Sequence, residues 1–136
     1  MVLVSSLAGY AGYPTSVPYA AMKAGMLGLY RTLSHEGKPY GVTVHIASPG
    51  YVETGIYESA IYRGTSLEKT MRLIDSLGFG LISSFDAAST ILRRVRRGST
   101  EFAFPWYASM MAWAAQRFPI VTRPIHATIL KRFRNP

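Results

Sequence analysis

A tyrosine and a lysine, Tyr19 and Lys23, stand four positions apart at the start of a predicted helix. Side chains at positions i and i+4 lie on the same face of a helix, so the phenol and the ammonium can meet. Ser6 ends a short apolar run, thirteen residues before Tyr19. The carboxyl end of a parallel strand and the start of the next helix face the same crevice of an open α/β sheet. We therefore expect these three side chains to share one ligand.

The chemistry available to this group is proton exchange with a substrate oxygen. A free tyrosine has a pKa of about 10, so ionising a phenol near neutral pH costs roughly 4 kcal/mol. An ammonium about 4 Å away returns an energy on the order of 4 kcal/mol at an effective dielectric constant of about 20. Tyr19 would pass a proton to or from the oxygen, and Ser6 would donate a hydrogen bond to it. Such a site suits the interconversion of an alcohol and a ketone or aldehyde.

The elements that position these residues alternate between strand and helix. Strands are predicted over residues 2–4, 42–47 and 100–104, with an ordered loop over 9–18 and a break at Ser48, Pro49 and Gly50. The first strand has no polar alternation, which favours cover on both faces. Alternation of strands and helices is typical of a parallel sheet with helical crossovers. We therefore predict the α/β class.

Three helices are predicted before the third strand, over residues 19–36, 66–77 and 86–97. Apolar residues circle most of the first helix, which predicts burial on more than one side. Ser66 and Lys69 stand at the start of the second helix, and Asp86 is the expected N-cap of the third. Residues 106–134 are predicted to form one or two helices, interrupted at Pro119 and Pro124.

Two sequence runs resemble the short-chain dehydrogenase/reductase family. The active-site region of that family is similar to Val4-Ser5-Ser6-Leu7-Ala8-Gly9, followed by Pro14 and by Tyr19-Ala20-Ala21-Met22-Lys23-Ala24. The Pro-Gly loop after the family's sixth strand is similar to Ser48-Pro49-Gly50-Tyr51-Val52-Glu53-Thr54. The resemblance covers roughly residues 2–104. One departure is Met22, which stands where family members usually have serine.

The resemblance implies a partial Rossmann-like (doubly wound) parallel sheet and a nicotinamide cofactor, NAD or NADP. It implies that Ser6 orients the substrate, that Tyr19 is the catalytic acid and base, and that Lys23 stabilises the phenolate. Tyr19 and Lys23 would also contact the cofactor, with Lys23 on the nicotinamide ribose. The loop that would contact the nicotinamide end consists of Pro49, Gly50, Val52 and Thr54. The first long helix would join subunits in a homo-oligomer.

The phosphate-binding part of that family's domain has no counterpart in the sequence. The only Gly-x-Gly is Gly78-Phe79-Gly80, which follows no predicted strand. We therefore expect residues 1–104 to be the C-terminal half of such a domain and residues 105–136 to be an aromatic, basic helical extension. The chain is expected to be incomplete and to have no measurable dehydrogenase turnover alone.

Composition and local pattern argue against disulfides, metal sites, a membrane-spanning helix and a secretion signal. The chain has no cysteine and its histidines lack ligand spacing, so we expect no disulfide, thiolate site or metal site. The longest uncharged stretch near the C-terminus, residues 102–116, is shorter than the approximately 20 residues of a membrane-spanning helix. The N-terminus lacks the basic start of a secretion signal. We expect a cytoplasmic protein, with membrane-surface association as an alternative.

Positive charge is concentrated in the second part of the chain. The net charge is +8 overall, and the residues from Ser66 onward carry eleven Lys/Arg against four acidic residues. The aromatic, basic tail is compatible with a lid, a subunit contact or an interfacial membrane helix. We expect no nucleic-acid partner, because the tail has no recognised reading motif.

The leading hypothesis is an oxidoreductase for a hydrophobic hydroxyl or carbonyl substrate. The alternative is a non-catalytic truncated domain that dimerises or docks on membranes through its tail.

Overall fold

The computed structural model describes residues 1–62 and 65–134, with side chains described throughout except at 121–123, 125, 129 and 132–134. The strands in this part of the chain are β1 (Val2–Val4), β2 (His45–Pro49), β3 (Val52–Glu53), β4 (Ile82–Ser83) and β5 (Glu101–Phe104). The α-helices are α1 (Ala8–Ala11), α2 (Val17–Glu36), α3 (Leu67–Ser76), α4 (Ser84–Arg96), α5 (Trp106–Arg117) and α6 (Pro119–Arg134).

The main sheet is parallel and has the strand order β1-β2-β5. Its register pairs Val4 with Ala47 and Ala47 with Phe102. The central strand β2 is buried over its first four residues. A second parallel pair, β3 with β4, was not predicted from the sequence. The α/β class with a partial Rossmann-like parallel sheet is therefore confirmed.

Helices pack on both faces of the sheet because successive strand residues point to opposite sides. Ile46 packs with Tyr30 of α2 on one face, whereas Ala47 packs with Ala87 of α4 on the other. Cover on both faces is the usual environment of a parallel sheet. This arrangement places the start of α2 beside the carboxyl ends of β1 and β2.

Helix α2 has an uncovered apolar face. It begins at Val17 and ends at Glu36, close to the predicted bounds. Leu27 and Tyr30 are its buried residues, whereas Met22 and Leu29 are 64% and 48% exposed. The prediction of burial on more than one side is therefore wrong for the described chain, because the sheet covers a single side of the helix. The homo-oligomer expected through this helix stays a prediction.

Strand β1 is also less covered than its sequence suggests. Leu3 packs with the core beneath α2, but Val2 and Val4 are exposed. The strand lies at the edge of the described sheet, and α4 packs on the neighbouring strand β2. The expectation of cover on both faces is therefore wrong for β1.

Two helices, α3 and α4, have an N-cap whose side chain accepts a hydrogen bond, and the cap of α4 differs from the prediction. Ser66 is the N-cap of α3, where its Oγ accepts a hydrogen bond of 3.2 Å from the Lys69 N–H. The N-cap of α4 is Ser83, whose Oγ accepts from the Asp86 N–H at 3.0 Å. The assignment of Asp86 as the cap is therefore wrong, because the helix begins earlier and places this residue in its first turn.

Two boundaries near the candidate site also differ from the prediction. Residues 9–18 were predicted to form a loop, but this stretch contains most of helix α1. Strand β2 continues through Ser48 and Pro49, which pair with Ala103 and Phe104 of β5. Proline can end a strand without loss, because its carbonyl still accepts hydrogen bonds and only its missing N–H cannot donate.

The tail starts with a helix that belongs to the packed core. Tyr107 and Ala108 of α5 are buried against Ala103 of β5. Phe118 separates α5 from α6, and Pro124 lies inside α6 instead of interrupting it. Helices of the described chain are too short or too polar to cross a bilayer.

Candidate active site

Tyr19 and Lys23 lie on the first turns of α2 and face each other. The helix begins at Val17 with Pro18 in its first turn, where a proline needs no hydrogen bond partner. The Lys23 Nζ lies 5.6 Å from the centroid of the Tyr19 ring. Both residues are half-buried, which leaves them accessible from one side. The i, i+4 spacing thus brings a phenol and an ammonium together.

Lys23 is tied to the carboxyl end of β1 by two hydrogen bonds. Its Nζ donates to the Val4 carbonyl at 3.1 Å, and its own carbonyl accepts from the Ser5 Oγ at 2.8 Å. Ser5 is almost fully buried. These bonds hold the ammonium at the end of a parallel strand, where ligands bind in open α/β sheets.

Ser6 follows directly and lies in the turn between β1 and α1. Its side chain is buried, and its Oγ accepts a hydrogen bond of 3.2 Å from the Ala8 N–H. This bond uses the oxygen as an acceptor and leaves the hydroxyl proton able to donate. Within residues 1–62 and 65–134, no direct hydrogen bond joins Ser6 to Tyr19 or Lys23. A bridge between Ser6 and the other two would therefore have to come from a ligand.

Gly9 lets α1 approach α2 at the level of Lys23. A Cβ atom at this position would lie 2.7 Å from the Lys23 carbonyl oxygen and 3.1 Å from the Ser5 Oγ. Glycine is therefore required here for close packing, since a real Cβ atom essentially never approaches another heavy atom this closely. The same contact brings Ser6 and Lys23 to one end of the sheet.

The Pro49–Gly50 segment lies beside the turn that carries Ser6. The Leu7 N–H donates to the Pro49 carbonyl at 2.9 Å, and the Gly50 N–H donates to the Phe104 carbonyl at 2.8 Å. Val52 continues into strand β3. Thr54 is exposed, and its Oγ1 accepts from the Ile56 N–H at 3.4 Å. The structure therefore brings Pro49 and Gly50 next to the turn, whereas Thr54 lies farther along the loop.

Tyr107 is a residue of this region that the sequence did not indicate. Its hydroxyl accepts a hydrogen bond of 2.8 Å from the Tyr51 N–H. A Cβ atom at Gly50 would lie 2.5 Å from that hydroxyl oxygen and 2.8 Å from the ring. Phe79 stacks on Tyr107 with ring centroids 4.4 Å apart. No sequence signal could have linked a tyrosine of the tail to a glycine more than fifty residues before it.

A cluster of phenols lies near Tyr19. Burial raises the pKa of Tyr13 and of Tyr51. Burial is also the main cause that raises the pKa of Tyr57 to about 12, and the nearby Tyr13 and Tyr19 hydroxyls add to the effect. These three half-buried phenols stay neutral near physiological pH, so they can donate hydrogen bonds without adding charge. The density of tyrosines between residues 10 and 62 is the signal that could have identified them.

An open groove of about 440 Å³ lies elsewhere, between β5, α5 and the end of α4. Its polar residues include Tyr10 and Glu101, and the Tyr10 hydroxyl donates to the Glu101 Oε1 at 2.8 Å. Burial and this carboxylate raise the pKa of Tyr10. None of the predicted site residues lines the groove. We therefore assign it no part in the candidate chemistry.

Comparisons with known proteins agree on the first part of the chain. Residues 1–62 match the family described as short chain dehydrogenase. The 3-oxoacyl-[acyl-carrier-protein] reductase FabG of Rickettsia prowazekii is 37% identical over 54 residues, as is the acetoacetyl-CoA reductase of a Synechocystis species. The putative ketoacyl reductase of the monensin polyketide synthase of Streptomyces virginiae is 43% identical over 54 residues.

Each of these matches covers 40% of the chain and about a fifth of the relative. The matched segment is 22% of the two former relatives and 21% of the third. The family match over residues 1–62 includes Ser6, Tyr19 and Lys23. Most of the length of each relative lies outside its alignment with this chain.

Proposed function

We propose that this chain, which carries a segment of the short-chain dehydrogenase family over residues 1–62, contributes the proton-transfer site of an NAD(P)-dependent oxidoreductase. The reaction would interconvert an alcohol and a ketone or aldehyde. The observation that carries this proposal is the position of Lys23. Its ammonium lies 5.6 Å from the Tyr19 ring and is held at the carboxyl end of a parallel strand by the Val4 carbonyl.

The residues of this chain fit one end of a nicotinamide dinucleotide. The Lys23 ammonium and the Tyr19 hydroxyl are donors that suit ribose hydroxyls, and Pro49, Gly50, Val52 and Thr54 would contact the nicotinamide end. The Gly78-Phe79-Gly80 run lies between α3 and β4, so it does not form a strand-to-helix phosphate loop. The proposed contacts are therefore confined to the nicotinamide ribose and ring. When bound, NADH or NADPH would supply a hydride to the carbonyl carbon.

The side chains of this chain would handle the proton and the substrate oxygen. Ser6 would donate a hydrogen bond to the carbonyl oxygen and hold it in place. Tyr19 would transfer its phenolic proton to that oxygen, which becomes the alcohol hydroxyl. Lys23 would stabilise the phenolate that remains, because a neighbouring ammonium favours the negative form. In the oxidative direction the same proton returns to Tyr19.

The substrate class proposed is a hydrophobic carbonyl compound. Tyr51, Phe79 and Tyr107 form an aromatic wall near the Pro49–Gly50 segment, with Tyr51 and Tyr107 ring centroids 6.3 Å apart. Apolar walls with a few oriented donors are typical of small-molecule sites. The names of the relatives support a ketone group on an acyl chain, since they are a 3-oxoacyl-[acyl-carrier-protein] reductase and an acetoacetyl-CoA reductase.

The test uses the protein expressed with any coding sequence that lies upstream of Met1. Acetoacetyl-CoA is offered with NADH and with NADPH, and turnover is followed by the loss of reduced-nicotinamide absorbance. We expect Tyr19→Phe to lower kcat by roughly 10²-fold or more, as removal of a general acid does. The matched control is Tyr40→Phe, because Tyr40 is 83% exposed.

The two variants distinguish a catalytic role of Tyr19 from a general loss of structure. Tyr40→Phe is expected to keep the wild-type rate, and circular dichroism checks that Tyr19→Phe is folded. Equal rates for wild type and folded Tyr19→Phe would contradict the role of Tyr19. A lack of nicotinamide-dependent turnover of acetoacetyl-CoA and of a hydrophobic ketone such as a decanone would contradict the proposed activity.

A further inference from the structure

Helix α5 is apolar on two opposite faces, and the described part of the chain covers only one of them. The covered face consists of Tyr107, Ala108, Ala112 and Ala115, which are buried. The other face carries Trp106, Met110 and Trp113 at positions i, i+4 and i+7. These side chains are 69%, 62% and 60% exposed. A helix that is hydrophobic on all sides is normally covered on all sides, so this face needs a partner.

Phe118 extends the exposed face beyond the end of α5. Its ring meets Trp113 edge to face with the centroids 5.7 Å apart, and it is itself exposed. We call Trp106, Met110, Trp113 and Phe118 the α5 stripe. Aromatic side chains of this size dominate the energy of the surfaces on which they are buried.

The chain segment that carries the stripe is exclusively basic, and Glu101 of β5 lines the groove beside Trp113. Residues 105–136 contain no aspartate or glutamate, and their basic residues are Arg117, Arg123, Lys131, Arg132 and Arg134. Arg117 lies four residues after Trp113, so it continues the stripe along the same face of the helix. An aromatic stripe on a segment whose charged residues are all basic fits a partner that offers an apolar layer beneath a negatively charged surface.

We propose that the α5 stripe is a docking surface for an anionic phospholipid bilayer. Tryptophan prefers the boundary between acyl chains and headgroups, and helices with Trp and Phe on one face and Lys and Arg beside them lie in that boundary. The basic residues of the tail are attracted by the negative surface potential of anionic lipids. The helix lies along the surface, in keeping with helices too short or too polar to span the bilayer in the described chain.

A second copy of this chain fits the same surface less well. A two-fold symmetric contact places the same patch of each copy against the other. Two α5 stripes in contact would oppose one all-cationic tail with another, and like charges facing each other disfavour association. Anionic lipid removes this repulsion and covers the aromatic rings at the same time.

The tryptophans make the test direct, because the chain has only two and both belong to the stripe. Tryptophan emission and co-sedimentation are measured with vesicles of phosphatidylcholine alone and of phosphatidylcholine mixed with phosphatidylglycerol. We expect a shift of emission to shorter wavelength and sedimentation with the anionic vesicles only. Salt at about 1 M, where the Debye length is about 3 Å, should release the protein.

Met110→Glu tests the stripe against Phe85→Glu as a matched control. Both substitutions put one carboxylate in place of an exposed apolar side chain, and Phe85 is 79% exposed on α4. We expect Met110→Glu to weaken binding to anionic vesicles roughly tenfold or more, because an apolar contact with the bilayer is replaced by a charge. Phe85→Glu is expected to bind like the wild type, and circular dichroism confirms that both variants are folded.

Several results would overturn the proposal. Equal binding to neutral and anionic vesicles, no emission shift, or equal effects of the two substitutions would each refute it. Self-association of the wild type in lipid-free buffer that Met110→Glu abolishes would assign the stripe to a second copy. Tighter binding of a single-stranded oligonucleotide than of anionic vesicles would assign it to nucleic acid. These readouts are independent of any oxidoreductase activity.

Discussion

Replacing Gly9 by alanine would test how closely α1 packs against the part of α2 that carries Lys23. The added Cβ atom would lie 2.7 Å from the Lys23 carbonyl oxygen, whereas ordinary contact begins at 3.4 Å. The two helices would therefore have to separate by about 0.7 Å, the difference between these distances. The obstructing atoms are backbone atoms of α2, which cannot rotate away as a flexible side chain can.

The expected magnitude follows from two opposing effects. Overpacking of this kind costs about 1–3 kcal/mol. Alanine in place of glycine returns up to about 1 kcal/mol of helix propensity, and less in a helix as short as α1. We expect Gly9→Ala to lower the free energy of unfolding by about 1–2 kcal/mol, and to disturb the hydrogen bond from the Ser5 hydroxyl to the Lys23 backbone carbonyl that ties α2 to the end of β1.

Gly28→Ala is the matched control, because a Cβ atom at this position of α2 would meet nothing within 4 Å. This substitution should raise the free energy of unfolding by up to about 1 kcal/mol through helix propensity alone. Urea unfolding followed by circular dichroism gives both changes as shifts of the midpoint at constant slope. The reasoning is refuted if Gly9→Ala is as stable as the wild type or shifts in the same direction as Gly28→Ala.

Three further outcomes follow from the described contacts. Tyr107→Phe removes the acceptor of the Tyr51 N–H, so urea unfolding should show a loss of about 1–3 kcal/mol; an unchanged midpoint would argue against the bond. Ser83→Ala removes the cap that accepts from the Asp86 N–H, which should lower the unfolding free energy by about 1 kcal/mol and the thermal midpoint with it. Alkaline titration should show phenols that ionise late, since the pKa values of five of the nine tyrosines are raised, that of Tyr57 to about 12. The stability contributed by these neutral phenols is present below their ordinary pKa of about 10 and is lost as the pH rises through the folded value. Phenolate absorbance that rises in a single step near the ordinary pKa in the folded protein would contradict this.

The amino-acid sequence alone determined the features that depend on local periodicity. The spacing of Tyr19 and Lys23 predicts a shared helix face, and the structure places the Lys23 ammonium 5.6 Å from the Tyr19 ring. The alternation of strands and helices along the chain predicted a parallel sheet with helical crossovers, and β1, β2 and β5 pair in parallel. Patterns of this kind report the period and the apolar face of one element, and both are set within a few residues of chain.

Only the tertiary structure decided which residues meet across the fold. The contact of Tyr107 with Gly50 joins residues far apart in sequence, and it depends on how α5 packs beside the end of β5. The uncovered faces of α2 and α5 could not be read from apolar periodicity either, because the pattern is the same whether the fold or another surface covers a face. The cap of α4 was decided in the same way: Ser83 and Asp86 are both suitable N-cap types, and the position at which the chain leaves β4 selects Ser83.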